Sequence, residues 1–301
     1  MLAARQSDPT ENDEVFFKMI KTVAVVGAGR MGRQIAMNTA IYGYEVYVTD
    51  PVAAVLADVE NWVSEYLASR VVKGRMTKEK TQEICARFHI AQGLEDAVKD
   101  ADLVIEAVTE LEEVKRQVLH DIGELVREDT IIASNSSFMA SSYFAGSVKN
   151  PSRLANLHFF NPALVLKLTE VVRGPHTAQE TVDKLMEFSR SIGKTPVLVQ
   201  KEIDGFVTNR ILNACKNEAL YLVENGYCTY QDVDLACRNG LGHPVGPFEL
   251  MDMTGVDTTY YRMKREIEHT GEEPVGYQMI KKMFDENRLG KKTGHGFYDY
   301  S

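Results

Sequence analysis

Apolar and polar positions follow two different rhythms along the 301-residue chain. Up to about residue 200, short apolar runs typical of buried strands alternate with stretches of helical period; beyond that point only the helical period remains. Residues 21–26 read as a buried strand. Residues 30–42 read as a helix with Gly43 in the C-cap position, and 45–49 as a second strand closed by Asp50 and Pro51. The stretch from 51 to about 88 reads as two helices broken near Lys73 and Gly74. Strands over 102–108, 130–134 and 195–199 then alternate with helices over 111–126 and 177–192. Two further runs, 153–162 and 164–172, read as strands separated by the turn signal Asn161-Pro162. In the second run Leu166, Leu168 and Glu170 fall on one face, because strand side chains repeat every two residues.

After residue 201 amphipathic helices follow one another, opening near Asp204 and at Gly246-Pro247 and continuing over 257–268 and 277–286. The glycine-rich stretch 289–298 cannot be helical throughout. The pattern predicts an α/β fold: a Rossmann-type doubly wound sheet with a helical-hairpin insertion over 19–200. A smaller all-α C-terminal domain over 201–301 follows it, and an N-terminal extension over 1–18 precedes it.

Composition narrows the class. A hydrophobic fraction of 44% and a charged fraction of 26% are ordinary for a water-soluble globular chain. The formal charge of −9 argues against a nucleic-acid partner, and no apolar run approaches bilayer length. Cys85, Cys215, Cys228 and Cys237 form neither a Cys-x-x-Cys pair nor a metal-like cluster, which fits a reducing, cytoplasmic compartment. Residues 1–18 are polar and acidic, unlike a secretory signal or a mitochondrial presequence. Charge is uneven, however. Between residues 61 and 90 six basic side chains (Arg70, Lys73, Arg75, Lys78, Lys80, Arg87) face three acidic ones (Glu65, Glu79, Glu83). The hairpin is either a solvated helical pair or a landing place for an anionic, phosphorylated ligand portion.

Chemistry enters at the first strand–helix turn, which carries Gly27, Gly29, Arg30, Met31 and Gly32. A strand, a glycine turn, a helix and a second strand ending in Asp50 form the full context of a dinucleotide site. The first glycine permits the tight turn and the second the approach of a pyrophosphate. The third permits close packing of helix on strand, and the helix N-terminus supplies amide donors. Asp50 stands where a ribose 2′-hydroxyl would donate, with no Arg or Lys close behind it, so NAD is favoured over NADP. In open parallel sheets ligands lie beyond the carboxyl ends of the strands, which places Glu110 and Ser137 near the cofactor. A helix first-turn glutamate and a capping serine are the plain alternatives. A carboxylate in an apolar row needs a partner. For Glu170 the neighbouring His158 is the obvious one, and an imidazole held by a carboxylate makes a general base near neutral pH.

With these motifs in order, the chain resembles the L-3-hydroxyacyl-CoA dehydrogenase family over roughly residues 20 to 300. The resemblance rests on the glycine turn, Ser134-Asn135-Ser136-Ser137, His158-Phe159-Phe160-Asn161-Pro162 with Glu170, Gly205 to Arg210, Gly246 to Leu250, and Lys292 to Tyr298. It implies NAD-dependent oxidation of a (S)-3-hydroxyacyl-CoA to the 3-oxoacyl-CoA, or the reverse reduction, by a homodimer. It makes His158 the base at the 3-hydroxyl and Glu170 its holder, with Ser137 and Asn209 hydrogen-bonding the substrate. Glu110, Lys115, Ser137 and Lys292 match dinucleotide contacts, and Lys73 with Ser137 matches contacts to the CoA thioester. The family often has a proline and a methionine where this chain has Leu164 and Leu166, and a CoA-contacting serine where it has Tyr66. Two rivals remain: a relative acting on a free hydroxy acid such as L-gulonate or carnitine, and a catalytically silent dinucleotide-binding protein. The basic hairpin speaks against the first, and the filled polar positions speak against the second.

Overall fold

The computed structural model describes residues 20–300, so the extension over 1–18 lies outside the described residues. The chain divides into two compact units, one ending at Phe206 and one beginning at Val207. The first opens with β1 (Thr22–Val26), α1 (Arg30–Ile41) and β2 (Glu45–Thr49). A helical hairpin follows, α2 (Ala53–Val72) and α3 (Lys78–Ala86), and then β3 (Phe88–Ile90) and α4 (Leu94–Val98). Next come β4 (Leu103–Glu106), α5 (Glu112–Leu125), β5 (Ile131–Ser134) and the short α6 (Ser142–Ala145). The unit closes with β6 (Leu154–Phe159), β7 (Leu168–Val172), α7 (Gln179–Ser191) and β8 (Thr195–Val199).

The strands form one sheet in the order β3-β2-β1-β4-β5-β6-β7-β8. Every pairing is parallel except β6 with β7. Burial on both faces explains why the central strands read as unbroken apolar runs. Val23 and Val25 point into one core, with α1, α2 and α7 supplying Ile35, Leu56, Val59, Leu185 and Phe188. Ala24 and Val26 point into the other, covered by Ala97, Leu119, Ile122 and Phe144 from α4 to α6.

Two details depart from the sequence pattern. The run over 164–172 is a strand only from Leu168 onward. Before it, Pro162 O accepts from Val165 and Leu166 N–H in a tight turn, and the buried Lys194 ammonium donates to Ala163 O and Leu166 O. Leu166 is therefore 42% exposed and no part of the row that holds Glu170. Similarly, β3 and α4 are too short for periodicity to announce them, three and five residues long.

The second unit is helical: α8 (Thr208–Glu224), α9 (Tyr230–Gly240), α10 (Pro247–Thr254), α11 (Val256–Thr270) and α12 (Tyr277–Asp285). Its core gathers Leu220, Val233, Phe248, Met251, Val256, Met263 and Ile280. Two buried aspartates tie it together. Asp234 accepts from the Phe248 and Glu249 amides and the Tyr298 hydroxyl, and Asp252 from the Phe297 and Tyr298 amides and the Tyr300 hydroxyl. These contacts fold the glycine-rich end of the chain onto the helices. The helix α9 was not apparent from its apolar pattern, yet its start is signalled by a capping box between Thr229 and Asp232.

Lys216 on α8 is the odd member of this core. Burial and the nearby Arg262 charge push its pKa down to about 8. A lysine whose folded pKa lies below its unfolded value opposes folding while it is protonated, so stability rises as pH climbs from about 8 to about 10.5. Lys216→Met is expected to stabilise the protein by on the order of 1 kcal/mol at pH 7, with the gain shrinking above pH 8 and lost once the pH exceeds about 10.5. Urea unfolding of both proteins across that pH range measures it.

Candidate active site

The glycine turn follows β1 directly. Gly27 has φ 98°, and a Cβ there would meet the Ala107 carbonyl at 2.7 Å. A Cβ on Gly32 would lie 1.8 Å from the Gly27 carbonyl oxygen, so only glycine lets α1 approach the strand. Around Gly29 there is open space within 4 Å. The N-terminus of α1 carries no side-chain cap and no acidic residue in its first turn. Uncapped amides of Arg30, Met31 and Gly32 beside an open glycine form a cradle that fits a pyrophosphate. Asp50 is anchored at the same turn: its Oδ2 accepts from Ala28 N at 2.9 Å and its Oδ1 from Val52 N at 3.0 Å. Each carboxylate oxygen keeps a lone pair for a ribose hydroxyl.

The second cluster is built by strand register. In the antiparallel β6–β7 pair His158 stands directly opposite Glu170, where cross-strand side chains meet. His158 Nδ1 lies 2.9 Å from Glu170 Oε2, and the two side chains are 3% and 1% exposed. A carboxylate only accepts, so Nδ1 carries the hydrogen and Nε2 presents its lone pair. Ser137, exposed at the carboxyl end of β5, lies 3.2 Å from that Nε2 through its hydroxyl. The imidazole packs against the Phe160 and Phe206 rings, at centroid distances of 4.4 and 5.6 Å. Phe206 holds φ 51°, a conformation uncommon for a bulky side chain. The sequence motif contained Phe206 but offered no sign of this packing role.

A charged network runs beside this pair. The Lys115 ammonium, on a side chain 1% exposed, lies 2.7 Å from Glu106 Oε1 and 3.1 Å from Glu110 Oε2. The Glu110 contact is an ion pair without hydrogen-bond alignment, which leaves Oε2 with no aligned donor. Glu110 Oε1 accepts from Ser136 Oγ and Ser137 N. Burial pushes the Glu106 carboxyl above the usual carboxylate range, opposed by the Lys115 charge and by the Ser134 and Val108 donors. Asn135 and Asn156 complete the framework: Asn135 Oδ1 accepts from Phe159 N, and Asn156 Nδ2 donates to Met139 O. Glu106 and Asn156 carry no signal in the sequence because each lies inside an apolar strand with no spacing signature, whereas Asn135 stands in the Ser134–Ser137 motif without a role of its own.

The first unit thus brings Gly27, Gly29, Gly32 and Asp50 together at one strand end. It joins Glu110, Lys115, Ser137, His158 and Glu170 in one connected network. Lys73 caps the exposed tip of α2 at the hairpin break. Tyr66 on the same helix stacks on Trp62 and receives the Arg70 Nε–H on its hydroxyl at 3.0 Å. Asn209 and Lys292 belong to the helical unit, Asn209 in the first turn of α8 and Lys292 ion-paired with Asp257. Among the described residues no group of three or more potential ligands could hold a metal ion, and no helix is long and apolar enough to cross a membrane.

Fold and site have the make-up of a two-unit dehydrogenase built on a dinucleotide-binding sheet, and comparison with known proteins places the chain among them. The family profile "3-hydroxyacyl-CoA dehydrogenase, NAD binding domain" matches residues 22–203, and "3-hydroxyacyl-CoA dehydrogenase, C-terminal domain" matches 205–300. The human mitochondrial hydroxyacyl-coenzyme A dehydrogenase is 37% identical over 292 residues, covering 94% of this chain and 92% of the relative. The 3-hydroxybutyryl-CoA dehydrogenase of Clostridioides difficile is 36% identical over 280 residues, covering 93% and 99%. The crystal structure of (S)-3-hydroxybutyryl-CoA dehydrogenase from Ralstonia eutropha superposes with a TM-score of 0.86 at 34% identity, covering 94% and 99%. The chain belongs to the 3-hydroxyacyl-CoA dehydrogenase family, and its cofactor is NAD.

The cradle can be tested directly. Gly32→Ala is expected to destabilise the protein, because its methyl group collides with backbone. Gly29→Ala is expected to leave folding intact but weaken NADH binding at least tenfold, since its methyl group fills the space that the pyrophosphate needs. Thermal melts and NADH fluorescence titration separate the two effects.

Proposed function

We propose that this chain interconverts (S)-3-hydroxyacyl-CoA and 3-oxoacyl-CoA with His158 as the general acid/base. The NAD-dependent 3-hydroxyacyl-CoA dehydrogenase activity is that of the family. The observation that supports the residue roles is the two-sided environment of one imidazole. Nδ1–H is given to a buried carboxylate, while Nε2 faces the exposed Ser137 hydroxyl. In the oxidation direction Nε2 takes the proton of the 3-hydroxyl, and Glu170 stabilises the imidazolium that forms. Ser137 holds the substrate oxygen against Nε2. NAD, when bound, supplies the hydride acceptor at its nicotinamide. Gly27, Gly29 and the amides of Arg30, Met31 and Gly32 hold its pyrophosphate, Asp50 a ribose, and Glu110, Lys115 and Lys292 the rest of the dinucleotide. Asn209 hydrogen-bonds the substrate, and Lys73 receives a CoA phosphate. Orientation of this kind supplies much of the rate, and proton transfer contributes on the order of 10²–10⁴ more.

The same reading makes the protein a cytoplasmic homodimer that pairs through its helical unit. That unit leaves Ile211, Tyr227, Leu235, Leu241 and Tyr261 more than half exposed, an apolar content that fits a subunit interface. Gel filtration of the full chain is expected to give twice the mass of 33.8 kDa.

The decisive assay follows NADH oxidation with acetoacetyl-CoA beside acetoacetate at matched concentration. Turnover of the thioester only is expected, with His158→Ala abolishing it. Turnover of the free acid instead would move the protein to the free hydroxy-acid class. Glu170→Gln is expected to bind NADH and acetoacetyl-CoA normally while kcat falls by roughly 10²-fold or more; near-normal kcat would remove Glu170 from its role.

A further inference from the structure

We propose that Glu106 is a positioning residue for this reaction, acting through Lys115 and Glu110 on the turn that presents Ser137 to His158. The inference rests on the assignment of His158 and Ser137 made above. Glu106 ends β4 and is fully buried, and both of its carboxylate oxygens are occupied. Oε1 accepts from Lys115 Nζ at 2.7 Å and from Val108 N at 2.8 Å, while Oε2 accepts from Ser134 Oγ at 2.6 Å. Ser134 Oγ in turn accepts from Ser136 N at 3.2 Å. Glu106 therefore grips the turn over 134–137 from below through Ser134.

It grips the same turn from the side through charge. Lys115 reaches its place on α5 between two carboxylates, with Glu106 on one flank and Glu110 on the other. Glu110 is itself 38% exposed and has water to turn to. What holds it inward is the Lys115 ammonium, and once inward its Oε1 takes Ser136 Oγ at 3.0 Å and Ser137 N at 2.5 Å. Without the Glu106 charge Lys115 keeps one carboxylate instead of two, and beyond Glu110 only a long 3.4 Å contact to Val108 O directs it. Glu110 and the Ser137 backbone then lose their common anchor, and the Ser137 hydroxyl loses its 3.2 Å contact with His158 Nε2. Packing alone does not require this arrangement, because a buried ion pair is replaceable by apolar groups of similar volume at little loss of stability. A carboxylate kept at such a position specifies geometry, and a misplacement of about 1 Å at a reacting group lowers the rate by roughly 10²-fold.

Three variants test the idea at saturating NADH with acetoacetyl-CoA: Glu106→Gln, Lys115→Met, and the pair Glu106→Met with Lys115→Met. Glu106→Gln is expected to lower kcat at least tenfold while KM for acetoacetyl-CoA changes less than twofold. The double variant leaves no unpaired buried charge and should fold. It is expected to show the same kcat loss with KM changed less than twofold, no larger than the Lys115→Met effect alone. Wild-type kcat in a stably folded Glu106→Gln or double variant would overturn the proposal, as would a loss carried by KM instead of kcat or strictly additive effects of the two sites. Failure of the wild-type protein itself to turn over acetoacetyl-CoA would instead overturn the assignment on which the proposal rests.

Discussion

The His158–Glu170 contact is the constraint to which the other parts of the first unit are subordinate. Two polar groups that are costly to bury singly become acceptable as a pair, because the carboxylate takes the one hydrogen the ring must place. The antiparallel turn-back of β7 on β6 exists in an otherwise parallel sheet, and it puts these two residues in register. The remaining ring nitrogen then has only one direction left to face, toward Ser137. Glu170 sets the tautomer, and the Phe160 and Phe206 rings pack against the imidazole, so the ring is placed before any ligand arrives.

The dinucleotide cradle depends on a different economy, the absence of side chains. Gly27 and Gly32 let two backbones touch, and Gly29 leaves a hollow over a helix end that has no internal cap. Donors that have no partner within the helix are stabilised by whatever anion they meet. Between cradle and base pair lies the Glu106–Lys115–Glu110 network, which ties the end of β4 to the end of β5. The two sites are thus connected through neighbouring strands of the same sheet.

Most of the strand–helix alternation was legible in the apolar pattern because the sheet is buried on both faces, and Gly27, Gly32 and Asp50 were legible because a tight turn admits few residue types. The partnership of His158 with Glu170 was readable as a possibility only, since nothing in a linear pattern states which strand residues stand opposite one another. Leu166 misled, because a leucine two residues before another leucine looks like a strand face even when a lysine from β8's approach, Lys194, ties that segment into a turn. Glu106 was invisible for the opposite reason: a single carboxylate inside an apolar strand has no period. Asn209 and Lys292 were named by family resemblance, which is a likeness of whole motifs and carries no geometry.

The turn over 162–166 has a consequence for how this protein can diversify. The pairing of β6 with β7 has a period of two, so a slip of one residue would turn Glu170 to the opposite face and dismantle the base outright. The loop between them feels no such rule, for it is pinned at its root by Lys194 and presents Val165 and Leu166 to the surroundings. Substitution there leaves the register untouched. The chemistry is inherited whole or lost, while the neighbouring apolar surface is free to drift in small steps.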